Sequence, residues 1–211
     1  YRLKTVMMSV SYSKDDDAIA RFQPRLDPET NQTVIGSANL NFRETFARIV
    51  NFPLKVNAWW SMRLNIGGRW QKTNANFDET VLEFEQANWS MNGQQTFSLP
   101  SDFSAEFSGF YNSKQLIGTA IAQPIWGVNF GLQKVLSNNQ GRLRFGIDDL
   151  FESIKWRGAT EIPEQNLINR ADYDFSNRTF KISYSRNFGN DKLKSYRKRQ
   201  TGAEAERRRV N

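Results

Sequence analysis

Carboxylates are the first groups in this sequence whose type and spacing suggest chemistry. Asp148, Asp149 and Glu152 lie close together, and Asp15, Asp16 and Asp17 are consecutive. Oxygen donors so arranged can hold Ca²⁺. Neither group has the alternating ligands, central glycine and closing glutamate of an EF-hand loop, so solvated loop charge is the expectation and no metal ligand is assigned. The chain has no histidine and no cysteine. That removes the usual general base, Ser-His-Asp and Cys-His nucleophiles, thiolate metal sites and disulfides. No catalytic or cofactor-binding residue is assigned, and the chain is not expected to be an enzyme. Ile66-Gly67-Gly68-Arg69 is no phosphate loop. It sits inside a strand-like pattern, where glycine marks a bend or a close backbone approach.

The other chemically pointed feature is positive charge. The net charge is +7, and most of it is at one end. Lys192, Lys194, Arg197, Lys198, Arg199, Arg207, Arg208 and Arg209 face only Asp191, Glu204 and Glu206, leaving the first 189 residues close to neutral. Tyr196 is the sole aromatic of this tail, so base stacking has little to use, and no nucleic-acid partner is expected. Contact with anionic lipid headgroups is a second possibility for such a segment. Dense charge and low hydrophobicity make a flexible tail over 190–211 the default.

Polar side chains at alternate positions form the third set. Arg63 and Arg69, Asn92 and Gln94, Asn129 and Gln133, and Arg142 and Arg144 each alternate with apolar residues, as do Lys181 and Ser183. They could line a pore, hold an internal plug, or simply face a hydrated interior. Alternation leaves all three open.

The elements that must carry these residues are strands. Trp60, Met62, Leu64, Ile66 and Trp70 alternate with Ser61, Arg63, Asn65, Gly67, Arg69 and Gln71. Trp89, Met91, Gly93, Gln95, Phe97 and Leu99 do the same, as do Trp126, Val128, Phe130 and Leu132, and then Phe180, Ile182, Tyr184 and Phe188. A period of two with one apolar face is the mark of a strand at an apolar boundary. Eight long strands are predicted over 2–13, 43–54, 58–74, 80–99, 102–115, 123–136, 141–151 and 173–188. A shorter hairpin near 19–25 and 31–36 contains Pro24, with Pro28 between its strands. It is therefore expected to stand outside any continuous wall.

The joints alternate in length. Short ones are expected at 55–57, 100–101 and 137–140, and long ones at 14–42, 74–79, 115–122 and 152–172. Fraying over 80–86 would lengthen the second of the long ones. Mean hydropathy is −0.66 and only 38% of residues are hydrophobic, with the apolar mass in 16 Phe, 6 Trp and 6 Tyr. No run approaches a spanning helix, but a spanning strand needs only about 9–11 residues with every second one apolar. Phe52, Trp59, Trp60, Phe97, Phe103 and Phe188 fall near the short joints. Tyr12, Trp70, Trp89, Phe110, Tyr111 and Trp126 fall near the long ones. Aromatic rings with a polar atom favour the headgroup region, so two such bands one strand length apart mark two membrane interfaces. A soluble β-sandwich also alternates, but its strands average about 5–6 residues. The expected fold is an all-β antiparallel transmembrane β-barrel occupying 1–189, in the outer membrane of a Gram-negative bacterium, with outer-membrane lipid as its surroundings.

The run Phe180-Lys-Ile-Ser-Tyr-Ser-Arg-Asn-Phe-Gly189, followed by Lys192-Leu-Lys-Ser and Arg197-Lys-Arg-Gln-Thr-Gly-Ala-Glu204, has a familiar form. So do Val10-Ser-Tyr-Ser-Lys14, Leu26-Asp-Pro-Glu-Thr-Asn31 and Gly146-Ile-Asp-Asp-Leu-Phe151. Together they resemble the outer-membrane β-barrel family related to TonB-dependent receptors, and the resemblance covers the C-terminal barrel portion of a family member. It implies a barrel of about 22 strands around an N-terminal plug, taking up a ligand with energy from TonB. The ligand is unknown, and no transport residue carries over, because plug and TonB-contacting segments are not in this sequence. The chain opens at Tyr1 without an initiator Met or a signal peptide, which suggests a truncated chain. The competing expectation is a self-contained eight-stranded barrel with a binding or structural role. In either case the basic tail is expected on the periplasmic side, and the 14–42 and 152–172 loops outside.

Overall fold

The computed structural model describes residues 2–3, 6–27, 29–30, 32–77, 80–137, 140–163, 167–186 and 188. The expected tail over 190–211 therefore lies outside the described residues. No described helix is long and apolar enough to cross a membrane. The crossing elements are strands.

Fifteen strands are described: β1 (Arg2–Leu3), β2 (Met7–Asp16), β3 (Ile19–Asp27), β4 (Gln32–Asn39), β5 (Phe42–Lys55), β6 (Trp60–Phe77), β7 (Thr80–Leu99), β8 (Phe103–Asn112), β9 (Gln115–Ile117), β10 (Ala120–Ala122), β11 (Ile125–Leu136), β12 (Gly141–Asp148), β13 (Lys155–Ile162), β14 (Leu167–Asp174) and β15 (Thr179–Ser185). One nine-stranded antiparallel sheet forms a wall in the order β1-β5-β6-β7-β8-β11-β12-β15, with β2 also on β5. Among the described residues the wall is not closed. The strand β2 lies at one edge and β15 at the other, and they do not pair.

The eight long strands of the wall match the sequence expectation, with two differences at their ends. The predicted strand 2–13 is divided into β1 and β2, which both pair with β5. The last begins later than expected. Tyr173 and Asp174 belong to β14, and Asp174 holds the turn that follows by accepting from the Ser176 backbone N–H at 2.9 Å.

The short joint expected at 55–57 is tied by a side chain that accepts from free backbone donors: Asn57 Oδ1 takes the N–H groups of Trp59 (3.0 Å) and Trp60 (2.7 Å). At the joint before β12, Gly141 has φ +107°, and a Cβ there would lie 2.3 Å from the Ser185 carbonyl oxygen. A side chain is therefore barred from that turn.

The other end of the wall departs from expectation in two ways. The fraying predicted over 80–86 does not occur. β6 and β7 pair in unbroken register from Trp60↔Phe97 to Phe77↔Thr80. The segments read as long loops at 115–122 and 152–172 are also structured. Each contributes a hairpin, and together they make a four-stranded sheet in the order β14-β13-β10-β9. The predicted hairpin in the first loop does stand outside the wall, as the two-stranded sheet β3-β4. Such little core as the described residues possess lies at this end, where Ala18, Leu40 and Ala75 cluster.

Candidate functional site

The wall has two faces, and its chemistry is divided between them. Cross-strand register settles which residues share a face, because side chains alternate and paired residues point the same way. Arg63 pairs with Gln94, Asn65 with Asn92, Asn129 with Ser108, Gln133 with Arg144 and Ser104, and Arg142 with Val135. Arg69 lies on the same side of β6 as Arg63. All eight polar residues singled out from the sequence thus share one face, with Lys181 and Ser183 beside them.

Side-chain hydrogen bonds on this face run across strands and along one. Asn51 Nδ2 donates to Asn65 Oδ1 at 2.5 Å and Arg63 to Gln94 Oε1 at 3.5 Å, while within β6 Gln71 Nε2 donates to Thr73 Oγ1 at 3.3 Å. Four arginines, with Glu106 among them, make this wall predominantly basic. A hollow of about 460 Å³ opens at its short-joint end, walled in part by Pro53, Lys55, Asn57, Arg63, Gln94 and Thr96. Asn129 serves the fold as well. Its Oδ1 accepts the Asp149 backbone N–H at 2.9 Å and fixes the chain leaving β12.

The opposite face is apolar for one membrane thickness. Rows of paired residues read Trp60–Phe97, Leu64–Gly93 and Ile66–Met91–Tyr111–Trp126, extending to Phe107–Phe130–Ile147–Phe180. These side chains are left open, Ile182 being 77% and Met8 57% exposed. Water would penalise so large an apolar surface, whereas lipid would not.

The band has clear limits. From Trp60 to Trp70 there are ten steps, and at ~3.3 Å per residue and a ~40° tilt they rise about 25 Å, the height of an outer-membrane barrel's apolar belt. Immediately above Trp70 and Phe46 the same face turns ionic, with Lys14, Glu44, Lys72 and Glu85 in one row. Tyr12 donates to Glu44 at 2.9 Å, Trp70 Nε1 to Glu85 at 2.8 Å, and Lys72 pairs with Glu83 at 2.8 Å.

Of the predicted interface aromatics, Trp60, Trp70, Phe97, Phe103 and Trp126 lie on this apolar face. Trp59 is in the turn before β6, stacked on Trp60 at 6.3 Å, and Phe188 lies beyond β15 and is exposed. Phe110 is a correction. It pairs with Asn92 and Gly127, which puts it on the polar face, where Gly127 leaves room for its ring.

Four of the six clustered carboxylates have partners within the protein. Asp149 is buried and accepts from Ser153 N–H (2.9 Å), Ser153 Oγ (3.2 Å) and Ile154 N–H (3.4 Å). Asp148 binds Lys181, Glu152 lies 3.7 Å from Arg178, and Asp15 lies 3.2 Å from Arg43. They cap turns and pair strands.

Sequence reading missed the aromatic cluster of the second sheet. Trp156 packs 5.5 Å from Tyr173, which stacks on Phe175 at 6.0 Å, and with Ile117 they enclose a hollow of about 330 Å³. The signal was present in the alternation of Lys155, Arg157, Ala159 and Glu161 with Trp156, Gly158, Thr160 and Ile162.

An antiparallel wall with an apolar belt of this height, aromatic rows at its limits and a polar reverse face defines a transmembrane β-barrel protein. A model of the Outer membrane protein beta-barrel family matches residues 1–185, and the chain belongs to that family. Its place is the outer membrane, and its apolar face meets lipid. Comparisons with curated proteins and with solved structures found no match.

Proposed function

We propose that this chain is the closing portion of a larger outer-membrane barrel, a TonB-dependent receptor-like protein that takes up a ligand. The observation that carries the reading is the open wall. Among the described residues, β2 and β15 each leave one edge unpaired, while the apolar belt runs out to both edges through Met8 and Val10 and through Phe180 and Ile182. Unpaired backbone groups cannot remain in lipid, and further strands that continue the sheet would satisfy them. A barrel enlarged in this way encloses a lumen too wide for its own side chains to fill. The basic, amide-rich inner face then meets an N-terminal plug, which TonB would act on from the periplasm. The excursions β3-β4 and β9-β10-β13-β14 face outward, the aromatic hollow among them, and the chain leaves β15 on the periplasmic side. The role is binding and passage, without catalysis.

Eight long strands are also enough for a small closed barrel, and that count favours a self-contained barrel as the second reading. Heat-modifiability after refolding the 211-residue chain into detergent separates the two. The receptor reading expects no compact fast-migrating band, only aggregation through the open edges. A compact band that disappears on boiling would favour the small barrel.

A further inference from the structure

The apolar face carries few polar groups, and most have a partner inside the protein. Gln95 accepts the Trp60 indole N–H at 3.1 Å. Lys134 lies over the Phe103 ring at 4.5 Å and binds the Ser101 carbonyl. The Tyr184 hydroxyl donates to the Gln140 carbonyl at 2.5 Å. Arg48 differs. Register places it on this face, between Val10 on β2 and Gly68 on β6, and the row continues to Trp89 on β7. It is exposed, and no carboxylate among the described residues pairs with it.

Its depth is telling. Phe46 and Trp70 stand one row above it, and the ionic row of Glu44 and Lys72 stands two rows above. A guanidinium therefore sits just inside the belt, at the long-loop end, without a counter-charge from the described residues. Beside it the surface is hollowed. A Cβ on Gly68 would meet nothing within 4 Å, whereas one on Gly67, facing the other way, would lie 2.8 Å from Ser90 Oγ. The face thus presents an arginine next to an open notch, flanked by the half-exposed Trp89.

We infer that Arg48 and the Gly68 notch form a binding site for the phosphate of an outer-leaflet lipid headgroup. A guanidinium matches two phosphate oxygens at once, and a phosphate drawn down into the notch supplies the missing counter-charge. The chain of such a lipid would then run along Val50 and Ile66, below Arg48 in the same belt. The choice of leaflet rests on the topology proposed above; the phosphate chemistry does not.

The test uses the whole polypeptide as its host makes it, extracted from outer membranes in mild detergent. Lipid phosphorus retained per chain is measured by native mass spectrometry. Wild type is expected to keep one phosphate-bearing lipid. R48Q is expected to lose it by about tenfold in occupancy, the factor one charge-assisted pair is worth. G68L, which fills the notch and keeps the guanidinium, is expected to lose it too, and R48K to retain part of it.

A wild type that keeps no phospholipid, or an R48Q that keeps as much as wild type, overturns the site. Displacement of the lipid by millimolar inorganic phosphate would overturn the assignment to lipid. If R48Q fails to fold, wild type and G68L are compared in symmetric vesicles of neutral and of phosphate-bearing anionic lipid, and equal retention of both lipids by wild type overturns the site. An epitope tag between β13 and β14 tests topology separately. If it is reached on intact cells while retention fails, the site alone is wrong; if it is hidden while retention holds, the leaflet alone is wrong.

Discussion

The indole of Trp70 donates to the carboxylate of Glu85 at 2.8 Å, and that bond marks the upper limit of the apolar belt. Its ring belongs to the rows below, with Phe46 and Ile66, while its nitrogen reaches the ionic row of Lys72 and Glu85 above. At the other limit the Trp60 indole donates to Gln95, which pairs with Met62 one row inside the belt. Between these two indoles a charge on the apolar face should be costly. Leu64 lies near mid-height, so Leu64→Arg is expected to destabilise the barrel by ~2–4 kcal/mol. Arg63→Leu, one residue away on the polar face, should change stability by less than about 1 kcal/mol. Urea unfolding in lipid vesicles compares them, and equal losses would mean that the two faces have been assigned wrongly.

Gly158 is expected to tolerate no side chain. A Cβ there would lie 2.5 Å from Cη2 and 2.9 Å from Cζ2 of Trp156, whose ring therefore lies over bare backbone. Gly158→Ala should lift the indole, break its contact with Tyr173 and cost ~1–3 kcal/mol locally. The readout is faster amide hydrogen exchange over β13 and β14, with β6 and β7 unchanged. Unchanged exchange in β13 would show that the ring does not depend on that space.

The carboxylate of Asp174 should titrate well below the ordinary range. Hydrogen bonds from the Ser176 hydroxyl and backbone N–H, with Lys155 at 3.2 Å, lower it from 3.8 to about 2. A lowered folded-state value means the ionised form is favoured by folding. The contribution is therefore fully present above about 3.8 and fades as pH falls toward about 2. Following the Asp174 carboxyl carbon by NMR should give a midpoint near the lower figure, and Ser176→Ala should raise it. A wild-type midpoint near 3.8 would show that the turn does not hold in solution.

Much of the wall was legible in the sequence because its two faces meet different solvents. Residues such as Leu64 and Ile66 had to alternate with Arg63 and Asn65, and the short joints carried turn residues such as Asn57. Three features were hidden for physical reasons. β13 and β14 lie in a segment with many charges, where Lys155, Arg157 and Glu161 resemble loop charge and mask the alternation with Trp156 and Ile162. The extension of β6 beyond Trp70 is mostly polar, so little in Lys72–Asn76 separates a paired strand from a frayed one, although Val81, Leu82 and Phe84 pair with it from β7. Arg48 broke the pattern of its own strand, and only the register with Val10 and Gly68 shows which solvent it meets.

The open edges can be tested directly, since these 211 residues contain no cysteine to confuse the result. Met8 and Val50 are cross-strand neighbours on β2 and β5, so a Met8→Cys, Val50→Cys pair should oxidise readily in the membrane. Val10 and Ile182 lie on the two edge strands, β2 and β15, and both belong to the apolar face. A disulfide needs Cα atoms within about 7 Å. If further strands complete the wall, the Val10→Cys, Ile182→Cys pair is held apart and should stay reduced under conditions that oxidise the first pair fully. If the eight long strands close on themselves, β2 and β15 become antiparallel neighbours. Cysteines placed at successive apolar-face positions along β15, from Phe180 to Tyr184, would then reveal a register that cross-links with position 10. Cross-linking at any of them would reject the larger barrel without reference to a plug or a ligand.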